Sequence, residues 1–91
     1  MDTEKYNGYT NYATWNWTLW LDNDEGSYAY WRELAEEHSE QELAEMLEAE
    51  ADEWVGENLP EASPFTDIMR HAIANINWRE VAETRIETTN D

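Results

Sequence analysis

The chain has 91 residues, a formal net charge of -17, no cysteine and 41% hydrophobic residues. This length allows one small domain, and the absence of cysteine excludes disulfides, thiolate metal sites and a cysteine nucleophile. With 22 acidic against five basic residues, direct binding to a nucleic-acid backbone is excluded as the main activity, because phosphate contacts need Lys and Arg; a basic partner is favoured instead. Six Trp and five Tyr can supply a core, since each large ring buries roughly 150–250 Å².

The spacing of apolar residues and the helix-capping residues predict an all-α fold, a compact single domain of four or five helices. Thr10 or Asn11 can cap a first helix that runs to about Leu21, and residues 22–26 break it. The segment is also rich in Thr, Trp and Tyr, so an extended conformation is the alternative for this part of the chain. The residues spaced for the buried face of this helix are Tyr12, Trp15, Leu19 and Trp20.

A second helix is expected over residues 25–37, and a third begins after Ser39, which forms a capping box with Glu42. Gly56 and Pro60 mark the end of the third helix. The residues at helical intervals in the second helix are Tyr28, Trp31, Leu34 and Ala35. Those in the third are Leu43, Met46, Leu47, Ala51, Trp54 and Val55.

Two further helices are predicted in the last third of the chain. Ser63 followed by Pro64 is a helix start, because proline suits the first helical position. Asn77 with Glu80 forms a second capping box, which opens a short last helix. The fourth helix is predicted to bury Phe65, Ile68, Met69, Ala72, Ile73 and Ile76. The fifth is predicted to bury Trp78, Val81, Ala82 and Ile86.

The middle of the chain is strongly acidic. Residues 33–61 hold twelve carboxylates, and no Lys or Arg occurs between Glu33 and Arg70. Eight of these carboxylates fall within eighteen residues of the third helix, which is about 27 Å at 1.5 Å per residue. One strand of DNA carries one charge per roughly 3.4 Å, so the charge densities match. Like charges three and four residues apart destabilise a helix, and ordinary solvated faces avoid this cost by mixing acidic with basic residues. Because this helix has no such mixing, its layout favours mimicry of a nucleic-acid backbone. The alternative is an acidic surface that serves solubility or tolerance to high salt.

We predict that this helix contacts a basic partner. The predicted contact residues, named the acidic row below, are Glu42, Glu45, Glu48, Asp52, Glu53 and Glu57. The first two helices carry too many aromatic residues for one buried face each, so the out-of-phase Trp17 and Tyr30 are predicted to be anchors in the same interface. The alternative is that these rings fill the core of a small domain that is poor in Leu and Ile.

Metal, cofactor and catalytic signatures are weak. Residues 22–26 resemble a calcium loop, but an EF-hand needs Gly at the sixth position, where Ser27 stands. His38 and His71 are isolated, so no zinc site is predicted. No phosphate-binding glycine loop or nucleophile elbow occurs. We therefore expect a protein that is not an enzyme and binds no cofactor or metal.

Three short stretches carry a family resemblance: Tyr-Asn-Gly-Tyr-Thr-Asn-Tyr-Ala-Thr-Trp at residues 6–15, Asn-Asp-Glu at 23–25 and Asn-Trp-Arg-Glu at 77–80. They resemble a family of small uncharacterised proteins carried by phages, plasmids and archaeal viruses. The resemblance leaves the acidic middle uncovered, and it implies a setting without an activity. Small acidic proteins of mobile elements are often inhibitors of host defence, so the resemblance implies an anti-defence role.

Together with the acidic row, these features predict a DNA-mimic inhibitor that blocks a basic nucleic-acid-binding protein of a host defence system, in restriction or CRISPR, in the cytoplasm of the host cell. Nucleic acid is not a predicted partner because of the net negative charge. A membrane is not a predicted partner because the first eight residues are polar and no apolar run approaches ~20 residues. The alternative is a non-inhibitory acidic structural or interaction domain that forms a homodimer through exposed aromatic side chains. In either case residues 1–91 form one helical domain, with 1–9 and 88–91 as flexible termini.

Overall fold

The computed structural model describes residues 6–89 and contains five helices. They are α1 Tyr12–Asn23, α2 Glu25–Ala35, α3 Glu40–Asn58, α4 Pro64–Asn75 and α5 Trp78–Thr89. The predicted all-α domain is confirmed. The first segment is helical over Tyr12–Asn23 and not extended. Of the termini predicted to be flexible, residues 1–5 and 90–91 lie outside the described residues.

Side-chain caps explain where three of the helices begin. The side-chain oxygen of Asn11 accepts a hydrogen bond from the backbone N–H of Thr14 at the start of α1. Ser39 and Glu42 form the complete capping box that predicted α3. Ser63 caps α4 in the same way as Asn11 caps α1. Because the first backbone N–H groups of a helix have no partner within it, these short polar side chains fix the helix starts from local sequence.

A tight turn precedes α1. Tyr6 and Tyr9 exchange two backbone hydrogen bonds of 2.8 Å each. Asn7 and Gly8 between them have positive φ angles of 49° and 90°, which Asn and Gly tolerate better than other residues. The ring of Tyr6 packs on Trp15 of α1, with centroids 4.9 Å apart. The Asn-Gly pair lies in the opening motif, which is the stretch of residues 6–15. It therefore folds the chain back onto α1.

Helix α5 is the most enclosed element and organises the core. It packs most extensively against α3 and also contacts α2 and α1. Val81 and Ala82 on α5 are completely buried, and α3 contributes Leu43, Leu47 and Val55 to the same core. Since one side of α3 is held in this core, its opposite side faces solvent.

The predicted buried face of α1 is wrong. Tyr12 is 56% exposed and Trp20 is 65% exposed, while the other two predicted residues are half-buried. The residues that α1 buries are Thr14, Thr18 and Leu21. Threonine can occupy these positions because both hydroxyls donate hydrogen bonds within the fold, which removes the cost of burying them unpaired.

Two other predicted core stripes include exposed side chains. On α4, Phe65 and Ile68 are exposed, and so is Trp54 on α3. Helix α4 is buried through Ile73, as predicted, and through Thr66, which was not predicted. The Thr66 hydroxyl donates a hydrogen bond of 2.6 Å to the backbone carbonyl of Pro60 in the preceding loop. An apolar surface therefore remains on the outside of α3 and α4.

Candidate partner-binding surface

The acidic row lies on the solvent side of α3, and all six of its residues are exposed. The supporting helix is regular over 19 residues. At 3.6 residues per turn, the six carboxylates follow two lines along the helix, roughly a third of a turn apart. One line holds Glu45, Glu48 and Asp52, and the other holds Glu42, Glu53 and Glu57. The structure thus brings the predicted contact residues onto one broad helix face.

Two arginines from other helices reach the carboxylates of α3. Arg70 of α4 lies 3.7 Å from Asp52, and Arg79 of α5 lies 3.7 Å from Glu40. The paired side chains are 37–62% exposed, and pairs of this kind contribute about 0–1 kcal/mol. Asp52 is therefore partly compensated within the molecule, a pairing that the sequence did not show because its partner lies on another helix.

Glu42 has a second role as part of the α3 cap. Its Oε1 accepts a hydrogen bond of 3.0 Å from the Ser39 backbone N–H and lies 3.5 Å from Nδ1 of His38. The Ser39 hydrogen bond, with a smaller contribution from His38, lowers the pKa of Glu42 below its ordinary value of 4.5. Glu42 keeps its negative charge to lower pH and links the acidic row to the stability of the helix that carries it.

The two predicted aromatic anchors lie in different surroundings. Trp17 is half-buried, and its ring meets Trp78 edge to face at a centroid distance of 5.3 Å. Tyr30 is 52% exposed and lies edge to face with the neighbouring Trp31 at 5.1 Å. Trp17 therefore contributes to the core as well as to the surface, whereas most of Tyr30 is open to solvent.

An open groove of about 710 Å³ runs between α1, α2, α3 and α4. We name it the tryptophan groove, because four of the six Trp in the chain line it: Trp17, Trp20, Trp31 and Trp54. Leu21, Leu47, Ala51 and Met69 add apolar surface, and Asp24 and Glu50 are its two carboxylates. This groove was not predicted, because the spacing of apolar residues placed Trp20 and Trp54 in the core. The surplus of Trp over the positions available on one buried face was the signal that could have revealed it.

A cluster of hydrogen bonds connects the opening motif to the closing motif, which is the stretch of residues 77–80. We name it the polar clasp, and its members are Thr10, Asn11, Thr14, Asn75, Asn77 and Glu80. The backbone N–H of Thr10 donates to Glu80 Oε1 at 2.9 Å, and that of Asn77 donates to Thr14 Oγ1 at 2.9 Å. Asn11 Nδ2 donates to the carbonyl of Asn75 at 2.7 Å. The residues of both motifs thus hold the start of α1 against the α4–α5 junction.

The clasp corrects the predicted capping box of α5. The side chain of Asn77 accepts from the backbone N–H of Glu80 at 3.2 Å, as predicted. The carboxylate of Glu80, however, accepts from Thr10 and not from Asn77. The backbone N–H of Asn77 is bound by the Thr14 hydroxyl, 63 residues away in sequence. Long-range partners therefore replace half of the local box.

Arg85 of α5 is a buried cation that the sequence analysis did not single out. Its side chain is 2% exposed, pairs with the carboxylate of Asp22 on α1 and lies over the ring of Tyr28 on α2 at 5.8 Å. Burial, with a further contribution from Asp22, raises the pKa of the nearby Tyr9 phenol above 10.0. Arg85 follows the buried Val81 by four residues, and this helical spacing was the available signal.

Residues 2–91 match the family of unknown function DUF7249. The chain belongs to this family. None of the curated proteins and none of the solved structures matches it. Membership of DUF7249 brings no activity with it, so the function of this surface has to be argued from its geometry and charge.

Acidic clusters in this DUF7249 protein do not form a metal-binding geometry within the described part of the chain. No group of three or more His, Cys, Asp and Glu residues is placed to hold an ion there. In the segment that resembles a calcium loop, Asp22 pairs with Arg85 and Asp24 accepts from the Ser27 hydroxyl at 2.7 Å. None of the helices between residues 6 and 89 is long and apolar enough to cross a membrane.

Proposed function

We propose that this protein binds and inhibits a basic nucleic-acid-handling protein by placing the acidic row in the groove that would otherwise hold nucleic acid. The observation that supports the proposal most is the exposure of six carboxylates on one side of a single regular helix of 19 residues. The opposite side of that helix is anchored by its buried residues, including Leu43 and Val55. The charges are therefore presented on a rigid support.

The spacing of these charges suits a site built for phosphates. Along one line of the row, Glu45 and Glu48 are separated by about 4.5 Å of helix rise, and Glu48 and Asp52 by about 6 Å. Two such lines present carboxylates over a width that a basic groove can enclose. Lys and Arg side chains that hydrogen-bond phosphate oxygens also hydrogen-bond carboxylate oxygens, Arg often with two bonds at once.

The charge of the whole molecule supports fast association with such a partner. A net charge of -17 on 91 residues steers a basic protein toward the acidic side during encounter, and this effect weakens as salt screens the charges. The predicted aromatic anchors, Trp17 and Tyr30, supply the apolar contacts that slow dissociation. The setting we propose is the cytoplasm of a host cell, with a restriction or CRISPR effector as the inhibited protein; the resemblance to mobile-element proteins supports this part.

Affinity capture with matched variants tests the proposal. The wild-type protein is immobilised and exposed to extract of its natural host, and proteins retained at moderate salt and released at high salt are identified. The test variant carries Glu45→Lys, Glu48→Lys and Glu53→Lys. The control variant carries the same number of reversals at exposed sites outside α3: Glu37→Lys, Glu83→Lys and Glu87→Lys.

We expect the wild type and the control variant to retain the same basic nucleic-acid-binding protein, and the test variant to lose it. The test variant stays folded, since reversing these exposed charges relieves like-charge pairs that each cost a few tenths of a kcal/mol. Equal retention by both triple variants would show that only net charge matters and would contradict a specific role for the acidic row.

A second candidate function is self-association as an acidic structural domain. Exposed Trp20 and Trp54, which line the same groove, favour it, because clustered exposed apolar side chains often mark an interface. Sedimentation of the pure protein at low and high salt separates the two functions. A homodimer held by aromatic contacts persists or strengthens when salt screens the repulsion between two acidic copies, whereas the inhibitor proposal predicts a monomer at both salt concentrations.

A further inference from the structure

We propose that the tryptophan groove binds a basic, apolar peptide segment of the partner and that an arginine side chain of this segment stacks on Trp20 and Trp54. The inference deepens the proposed function and rests on it for the identity of the partner. The groove is separate from the acidic row, because none of the six members of the row lines it.

The apolar character of the groove accounts for the first half of the segment's chemistry. Trp20 is 65% exposed and Trp54 is 52% exposed, although both belong to the residue type that gains most from burial. Both rings line one groove together with the buried Trp31, Leu21 and Leu47. Its volume of about 710 Å³ is in the range of sites that enclose a compact ligand. A segment that covers these rings removes a large apolar area from water.

Charge complementarity accounts for the basic character of the bound segment. Asp24 and Glu50 are part of the lining, and the lining contains no Lys or Arg among the residues described. Glu50 also precedes Trp54 by four residues on α3, so its side chain lies one helical turn from that ring. Trp is the strongest cation-binding ring, and a neighbouring carboxylate adds to the attraction. The combination selects a cation and repels an anion.

Arginine fits this combination better than lysine does. Its guanidinium is planar, stacks on aromatic faces and is less strongly hydrated than an ammonium group. It can lie on an indole while its N–H groups donate to a carboxylate such as that of Glu50. A basic nucleic-acid-binding surface offers arginine side chains of this kind.

Other occupants of the groove are disfavoured by charge. A second copy of this chain would bring another molecule of charge -17 against Asp24 and Glu50 and would face electrostatic repulsion at low salt. A neutral apolar ligand would leave the negative charges of Asp24 and Glu50 without a cation. The basic peptide segment is the occupant that satisfies the rings and the carboxylates together.

Two synthetic peptides of equal charge test the inference on the full chain. Both are capped at each end and carry four arginines; in one, Arg alternates with Leu, and in the other, Arg alternates with Ser. Binding is measured by titration calorimetry and by the indole N–H signals in NMR spectra. The variants are Trp20→Ala and Trp54→Ala, and the control is Tyr12→Ala, which removes an exposed ring from α1 outside the groove.

We expect the Arg-Leu peptide to bind the wild type about tenfold or more tightly than the Arg-Ser peptide. Trp20→Ala and Trp54→Ala are each expected to weaken it by about tenfold, the size of a moderate aromatic anchor, and Tyr12→Ala to leave it unchanged. The indole signals of Trp20 and Trp54 shift on titration, while that of Trp15, which packs on Tyr6 away from the groove, does not.

Equal affinity for the two peptides, or an unchanged affinity in both Trp variants, would overturn the inference. A Trp20 signal that moves with protein concentration in the absence of peptide would also overturn it, in favour of a second copy. The acidic-row variant keeps the two proposals apart. If that variant fails to capture the partner while both Trp variants capture it normally, the groove inference is wrong and the proposed function stands. If the peptide binds the groove but no basic partner is captured, the function is wrong and the groove stands.

Discussion

The polar clasp and the acidic row both consist of polar side chains, and they differ in what those side chains contact. In the clasp, the backbone N–H and the side chain of Asn77 make three hydrogen bonds, two of them to residues more than 60 positions away. In the row, Glu48 and Glu53 extend into solvent from the outer side of α3. Polar groups that satisfy one another hold a fold together, whereas polar groups left in solvent are available to a partner.

This difference separates the opening and closing motifs of this chain from the proposed binding surface. The opening motif and the closing motif meet in the clasp, where Thr14 and Asn77 bond directly. The residues of these two motifs therefore hold the fold together. Recognition is proposed for the acidic middle, which these motifs do not include.

Among residues that hold the fold together, the largest effect on the free energy of unfolding is expected at the Arg85–Asp22 pair. Asp22→Ala leaves a guanidinium that is 2% exposed without its carboxylate and should reduce the free energy of unfolding by about 2–3 kcal/mol. This lies below the usual cost for fully buried pairs because Asp22 is 44% exposed. Chemical denaturation at pH 7 provides the measurement.

Arg85→Met is the matched variant for that pair. It keeps much of the buried volume and leaves Asp22 hydrated, so we expect a loss of about 1 kcal/mol or less. A larger loss for Arg85→Met than for Asp22→Ala would mean that the pair stabilises the fold by packing and not by charge.

The next largest effect is expected within the clasp. Thr14→Val removes the hydroxyl that accepts from the Asn77 backbone N–H at 2.9 Å and leaves that donor unpaired. The expected loss is about 1–3 kcal/mol, or a fall in Tm of roughly 4–8 °C per kcal/mol for a domain of this size. Thermal denaturation followed by circular dichroism measures it.

Thr18→Val is the control on the same helix. Thr18 is also buried, but its hydroxyl donates only to the Thr14 carbonyl, at 3.0 Å, which the α1 backbone can also satisfy. We expect its Tm to stay near that of the wild type. Equal losses in the two variants would show that burial of threonine, and not the clasp bond, determines the stability.

The smallest effect is expected at Glu42, the one member of the acidic row that also caps its helix. Its pKa is lowered, chiefly by the Ser39 hydrogen bond, so its contribution to stability is present above about pH 4.5 and is lost as pH falls through the lowered folded value. Glu42→Gln should therefore be less stable than Glu45→Gln at pH 7, and the two should converge below pH 4. A difference between their Tm values that is independent of pH would contradict this role.

Helix positions could be predicted from local sequence, and burial could be predicted only in part. Most of the residues predicted to be buried on α3 and α5 are buried, but the predicted face of α1 is not. Ser39, Asn11 and Ser63 cap their helices through residues three positions away, so the signal is contained in a short stretch. Spacing places Trp20 and Phe65 in the core because they are apolar, yet both are exposed. Whether a side chain at the edge of a buried stripe is covered depends on the neighbouring helix, which spacing does not specify.

Polar residues in the core were missed for a related reason. Besides its local hydrogen bond to Asn11, Thr14 has a partner in a distant part of the chain, Asn77, and Arg85 has another, Asp22. Neither partner is near in sequence. The acidic row was predictable because exposed carboxylates on a helix need no partner, and the tryptophan groove was not, because it is formed by four helices.

A competition assay tests the central claim most directly. The captured basic protein is bound to fluorescently labelled nucleic acid, and displacement of the label is followed by anisotropy while the wild type, the α3 triple variant (Glu45→Lys, Glu48→Lys, Glu53→Lys) or its charge-matched control is added at several salt concentrations. We predict that the wild type and the control displace the nucleic acid with a potency that falls steeply as salt increases, and that the α3 variant does not. Binding of the wild type beside nucleic acid that stays in place, or displacement by the α3 variant at wild-type potency, would contradict the claim that the acidic row occupies the nucleic-acid groove.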